Sequence, residues 1–236
     1  MARAKPVVAI DGPAGAGKST VSQRVAEALG FTLVDTGSLY RAVAFLAAAE
    51  GVSLDDVAAV EGVATRAVAS GRLSLAAVAR PDGPGRVTEV RVGGLFPGDA
   101  IRTPAMSMGA SQVSAYPGVR AALLDLQRQF GREGAVVLEG RDIGTVVFPD
   151  AEVKVFLTAS PEVRARRRLE ELQARGVEAD LASVLHDVIA RDARDAARSI
   201  APLREAPDAV RVDSSQLDRE GTIDAIVRLV EARAGR

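Results

Sequence analysis

The chain has 236 residues, of which 47% are hydrophobic. That suits one domain with insertions, somewhat beyond the ~150 residues common for a domain, with roughly 70 to 75% of the extended chain's surface buried on folding. With no cysteine there is no disulfide framework, no cysteine-ligated metal site and no thiol nucleophile, and the single histidine, His186, excludes paired-histidine metal motifs. Lys plus Arg (30) nearly balances Asp plus Glu (31), so a net charge of -1 offers no global field for nucleic acid or an anionic membrane, and any anion site has to be local.

The run Met1 to Ile10 is cut short by Asp11-Gly12-Pro13 and makes no signal peptide. The longest apolar stretch, Ala42 to Ala49, falls short of the ~18 residues a membrane helix needs, so the expectation is a cytoplasmic protein without a membrane or nucleic-acid partner. Short buried-type runs alternate with helical periodicity. Val7–Ile10 predicts a strand, Lys18 opens a helix, Thr32–Val34 predicts a second strand, and Ser38 opens a second helix. Arg72–Ala76 and Val87–Val92 then alternate with period two around the turn signal Pro81-Asp82-Gly83-Pro84-Gly85, which predicts an inserted antiparallel hairpin within an insert of about 63–103. A helix follows near Pro117 to Phe130, then strands at Ala135–Leu138 and Val153–Leu157. Ser160-Pro161-Glu162 starts a helix carrying Arg164, Arg166, Arg167, Arg168 and Arg175, in a lid region of about 160–178. After the apolar stripe Leu181, Val184, Leu185, Val188 and Ile189 comes a last strand, Ala209–Val212. Apolar runs bounded by Gly, Asp or Pro suit strands covered on both faces, so the fold predicted is one α/β domain with a parallel sheet and helices on both sides.

Gly12-Pro13-Ala14-Gly15-Ala16-Gly17-Lys18-Ser19 fits G-x-x-x-x-G-K-[ST] between a strand and a helix, the context that the motif requires. The glycines let the backbone curl so that N–H groups face phosphate oxygens, and the helix N-terminus adds about half a positive charge. On this reading Gly12, Pro13, Ala14, Gly15, Ala16, Gly17, Lys18, Ser19 and Thr20 hold ATP, Lys18 reaches the β- and γ-phosphates, and the Ser19 hydroxyl faces Mg²⁺. With only three lysines in the chain, Lys18 is not background. A phosphate loop alone fits an NTPase, a kinase or a switch. The chain has no Asn and so no guanine-reading N-K-x-D segment.

The segments Asp35-Thr36-Gly37-Ser38-Leu39-Tyr40-Arg41, Ser111-Gln112-Val113, Pro117-Gly118-Val119-Arg120, Glu139-Gly140-Arg141-Asp142-Ile143-Gly144-Thr145 and Arg191 to Arg198, in this order over essentially the whole chain, resemble the bacterial cytidylate kinases. The resemblance implies a P-loop fold whose enlarged insert serves the acceptor and whose Arg-bearing lid closes over the donor. It also implies phosphoryl transfer from ATP to CMP or dCMP, in pyrimidine nucleotide metabolism. By position it places Ser111, Arg141, Asp142, Arg191 and Asp195 around the acceptor nucleoside, with Thr36, Tyr40, Arg41, Arg120 and Arg198 near it or its phosphate. Lys18, Arg141, Arg191 and Arg198 are then the groups expected to neutralise charge in the reaction, in a monomer. Pro104-Ala105 departs from the family pattern, where an acidic and then an aliphatic residue are expected.

The residues make chemical sense by themselves. Cytosine offers an amine donor and an N3 acceptor, which an Asp beside an Arg complements, and Arg141-Asp142 and Arg191/Asp195 are such pairs. Arg191 and Asp195, four apart, also fit a surface ion pair. Helical phase favours the site, since ~100° per residue brings Asp195 into the apolar stripe with Arg191 and Arg198 on its border. The arginines after Ser160 fit either a solvated helix with Glu170 and Glu171 or a lid. His186 reads as structural or exposed. A kinase for another nucleotide or small metabolite, and a non-catalytic nucleotide switch, remain as alternatives that an acceptor panel separates.

Overall fold

A computed structural model describes residues 3–80, 83–174 and 176–234. Pro81 and Asp82 of the hairpin turn, and Arg175, lie outside the described residues. Seven strands form one sheet in the order β3-β4-β2-β5-β1-β6-β7. They are β1 (Val7–Asp11), β2 (Thr32–Asp35), β3 (Leu73–Ala79), β4 (Arg86–Val92), β5 (Val136–Gly140), β6 (Val153–Thr158) and β7 (Val210–Asp213). All pairings are parallel except β3 with β4.

The central strands are mainly apolar because both faces are covered, with charged residues at Asp11, Glu139 and Lys154. Along β1, Val8 and Ile10 pack on the side of α1 (Lys18–Leu29) and α8 (Arg219–Ala234), with Val21, Val25, Ile223 and Ile226. Val7 and Ala9 face the other way, toward Leu138, Ile143 and Phe148. A further cluster unites α2 (Gly37–Ala49), α3 (Val57–Ala69), α4 (Pro104–Val113) and α5 (Pro117–Arg128) with the hairpin, through Leu46, Val63, Leu73, Val90 and Leu123.

The hairpin is not a separate appendage. Thr32 pairs with Arg86 and Leu33 with Val87, so β4 extends the main sheet and carries its C-terminal half toward the same edge as Asp35. Residue 63, the expected start of the insert, lies inside α3, which begins at Val57 under an Asp56 cap. The sequence reading missed α3 and α4. Pro104, the departure from the family pattern, is the first residue of α4, and the Thr103 hydroxyl accepts from Met106 N–H at 3.2 Å. Proline is favoured there because that N–H has no helical acceptor.

Beyond the sheet edge, α6 (Pro161–Ala174) and α7 (Leu181–Ala196) pack on each other through Ala165, Val184 and Val188. The apolar stripe is narrower than predicted: Leu181 is 40% and Ile189 50% exposed, whereas Asp195 is buried as its phase required. The stripe faces one thin helix rather than a sheet, so its flanks stay wet.

Candidate active site

The loop after β1, the C-terminal ends of β2 and β5 and the middle of β4 open onto a cleft of about 1250 Å³. Ala14, Gly15, Ala16, Gly17, Lys18, Ser19 and Thr20 line it, as do Thr36, Tyr40, Arg41, Ser111, Arg120, Arg141, Asp142, Arg191, Asp195 and Arg198. Gly12 and Pro13 are buried beneath the loop rather than at its surface. Gly12 has φ +152°, and a Cβ there would stand 1.9 Å from the Leu157 carbonyl oxygen, so the first turn of the loop has no room for a side chain. Gly17, at φ +86°, caps α1.

Lys18 is 7% exposed, and its Nζ donates to the Gly12 and Pro13 carbonyls at 2.7 Å each. Burial, and then the neighbouring Arg141 and Arg191 charges, hold its pKa well below the usual lysine range. Arg191 is pushed down to about 10, first by burial and then by Arg141. Its Nε is buried without a hydrogen-bond acceptor among the described residues. Three cations therefore crowd one wall, an arrangement that favours a polyanion.

The carboxylates of the cleft are paired differently from the sequence expectation. Asp142 takes Arg120, not its chain neighbour Arg141, and the Arg120 guanidinium also donates to the Ser114 carbonyl at 3.2 Å and lies 5.7 Å from the Tyr40 ring. Asp195 takes Arg198 and, at 3.1 Å, Arg141 Nε, with the Ser111 hydroxyl at 3.3 Å; Arg191 makes no ion pair with it. Adjacent residues such as Arg141 and Asp142 diverge as the chain leaves β5, whereas residues from different helices converge. Burial raises the Asp142 carboxyl above its ordinary value despite Arg120. Burial also pushes Asp195 up, but Arg141, Arg198 and Arg191 outweigh it and leave its pKa low.

Asp142 is held by a device absent from the sequence reading. The buried Asp11 carboxylate accepts from Ile143 N–H at 2.8 Å and Gly144 N–H at 2.7 Å, anchoring the single π-turn Ile143–Val147 that follows β5. Burial pushes Asp11 up to about 6. Two more acidic groups were missed. Glu139, at the end of β5, lies beside the Ser19 hydroxyl and is pushed up to about 7, first by burial and then by Asp35. Asp35, ending β2, accepts from Arg41 at 2.5 Å and from Ser38 N–H at 3.2 Å. The signal was available, since all three stand at or next to the C-terminal end of a strand. A hydroxyl and a carboxylate facing a phosphate loop form an oxygen donor set suited to Mg²⁺.

The arginines of α6 part company. Arg167 and Arg168 line the cleft, and Arg167 donates to the Ser214 hydroxyl at 3.0 Å and carbonyl at 2.8 Å. Arg168 pairs with Glu171. Arg166 is exposed outside the cleft, and Arg164 is buried against the phosphate loop. His186 is exposed, its ring beside Asp187.

Residues 8–232 match the family model described as cytidylate kinase. The chain is 47% identical to a cytidylate kinase of Rhodopseudomonas palustris, covering 98% of both chains. It is 48% identical to that of Geobacter sulfurreducens, over 96% of this chain and 93% of the relative. It is also 46% identical to a bifunctional pantoate ligase/cytidylate kinase of Synechocystis, of whose length it spans 42%. A match over nearly the whole chain, on a sheet whose strand β1 leads into a phosphate loop beside an arginine-lined cleft, makes the chain a member of the cytidylate kinase family, nucleoside monophosphate kinases of the P-loop type.

Proposed function

We propose that the chain transfers the γ-phosphoryl group of ATP to CMP or dCMP, releasing ADP and CDP or dCDP, as a cytoplasmic monomer in pyrimidine nucleotide metabolism. The observation that carries this reading is the cleft itself, which gathers the cations Lys18, Arg141 and Arg191 together with the buried Arg120–Asp142 pair. The first group suits phosphates, and the second suits a base with one donor and one acceptor edge. No helix among the described residues is long and apolar enough to cross a membrane.

The acceptor phosphate is an anion near neutral pH and needs no strong base, so catalysis is positioning and charge neutralisation. The loop from Gly12 to Thr20 wraps the donor phosphates. Lys18, now held by two loop carbonyls, gains stronger anionic acceptors when they arrive. Ser19 and Glu139 would hold Mg²⁺, which supplies charge neutralisation between donor phosphates when bound. Arg41, Arg141 and Arg191 orient the acceptor phosphate, with Thr36 and Tyr40 at its side. Asp142 accepts from the cytosine amine and Arg120 donates to the ring, while Ser111, Asp195 and Arg198 hold the rest of the nucleoside. Arg167 and Arg168 reach the donor side, and closure of the peripheral parts of the 63–103 and 160–178 regions, beyond the β4 pairing and the Arg164 anchor, excludes water, which suppresses ATP hydrolysis.

ADP release measured with CMP, dCMP, UMP, AMP, GMP and shikimate tests the reading. Turnover confined to the cytidine nucleotides supports it. Preference for another acceptor, or nucleotide binding with no acceptor-dependent turnover, overturns it.

A further inference from the structure

Arg164 is 3% exposed, yet its guanidinium joins three parts of the chain. Nε donates to the Ala159 carbonyl at 2.9 Å, just before α6. One terminal nitrogen donates to the Ala14 carbonyl inside the phosphate loop at 3.0 Å. The other pairs with Asp192 Oδ2 on α7 at 2.6 Å. The contact with the loop is also steric. A Cβ on Gly15, at φ +76°, would stand 3.1 Å from both Cβ and the carbonyl oxygen of Arg164, so loop and α6 meet almost backbone to backbone.

Asp192 adjoins Arg191 and stands one turn before Asp195, the two α7 residues that line the cleft. Its Oδ1 is buried without a hydrogen-bond partner among the described residues, so the hold on this carboxylate comes through Oδ2 and Arg164. α7 belongs to no strand pair and packs on α6 through a small cluster around Ala165, Val184 and Val188. At its acceptor-facing end α7 is also held by Arg141 and Ser111 through Asp195, but its direct link to the donor loop passes through α6 and Arg164.

We propose that Arg164 and Asp192 form a positioning pair: by tying Ala14 to α7, Arg164 sets the separation and angle between the donor phosphates and the acceptor held by Arg191 and Asp195. This rests on the kinase reading above. Neither residue touches the transferred group. In-line transfer requires reacting atoms about 3 to 3.5 Å apart, and a displacement of ~1 Å can reduce the rate 100-fold, so a tether between the two half-sites acts on turnover. The planar guanidinium serves three acceptors in different directions, whereas a lysine ammonium on its flexible stem does not keep that geometry.

The test compares wild type with R164M, R164K, D192N and the double variant R164M/D192N. It reads kcat, the calorimetric Kd of CMP and of a non-hydrolysable ATP analogue each bound alone, and Tm, with kinetics run well below the lowest Tm. We expect kcat to fall at least about 10-fold in R164M and R164K and about 3- to 10-fold in D192N, each single-nucleotide Kd to stay within about 3-fold, and the double variant to be no slower than R164M, because the two residues act as one unit. Wild-type kcat in folded R164M or in D192N, additive losses in the double variant, or losses in Kd that account for the whole loss in kcat/KM would each overturn the proposal. If R164M does not fold, R164K and D192N decide by the same criteria. Wild-type turnover with CMP, measured alongside, separates failure of the pair from failure of the kinase reading.

Discussion

Asp142→Asn probes base recognition with the least disturbance of the fold. Asp142 is 5% exposed and paired with Arg120, which is 9% exposed. Truncation to alanine would strand a buried guanidinium, at a cost of about 3 to 5 kcal/mol for breaking such a pair, and would confuse folding with recognition. Asparagine keeps an oxygen for Arg120 and the Ser114 carbonyl still accepts from its other arm, so the chain should fold, with a modest loss of Tm. With that oxygen turned to Arg120, the variant presents its amide NH2 to the base, a donor facing the cytosine amine where the carboxylate had been an acceptor. A hydrogen bond to a charged group contributes about 1.5 to 3 kcal/mol, so kcat/KM for CMP should fall roughly 10- to 150-fold. Uracil presents O4, which cannot donate to a carboxylate but can accept from an amide, so UMP should hold its rate or gain. The assay is coupled ADP release with CMP and UMP at saturating ATP, beside calorimetric binding of an ATP analogue, which should not change. Equal losses for the two acceptors would show that Asp142 only supports Arg120, and the base-reading role would be refuted.

Lys18→Ala should fold yet lose at least ~100-fold in kcat, since a preorganised charge on the transferred phosphate is a term of several kcal/mol; near-normal turnover would remove the loop from the mechanism. Gly12→Ala should abolish ATP binding and destabilise β1, because its Cβ would stand 1.9 Å from the Leu157 carbonyl oxygen; wild-type Tm and ATP affinity would contradict that geometry. Hydrogen exchange over 63–103 and 160–178 should slow with CMP plus a non-hydrolysable ATP analogue, and unchanged exchange would rule out closure. Asp11 has its folded pKa raised from 3.8 to about 6, so the folded state binds its proton more tightly, and this residue's contribution to stability declines as pH rises through that window and is constant above it. The difference of about two units corresponds to ~3 kcal/mol. Asp11→Asn should therefore show a smaller decrease in unfolding free energy between pH 4 and 7 in urea titrations than wild type, and an identical pH slope would refute the assignment.

Much of this protein is local information. The phosphate loop needs only its glycines, Lys18 and the flanking strand and helix, and short-range sterics dictate its curl wherever it occurs. The central strands declare themselves as short, mainly apolar runs because both faces are buried, and the phase of α7 alone brings Asp195 inward. The tertiary structure decided who pairs with whom. Arg141 and Asp142 adjoin in sequence but leave β5 in different directions, so Asp142 finds Arg120 from α5 and Arg141 finds Asp195 from α7. Asp11 and Glu139 looked like strand ends until the parallel pairing of β1 with β5 brought them beneath the loop. The arginines of α6 were indistinguishable as a run, because composition carries no direction. Packing turned Arg164 into the phosphate loop, Arg167 toward the cleft and Arg166 to solvent, since a helix with 3.6 residues per turn presents neighbours to different faces, and only the surroundings of each face settle what its charge can do.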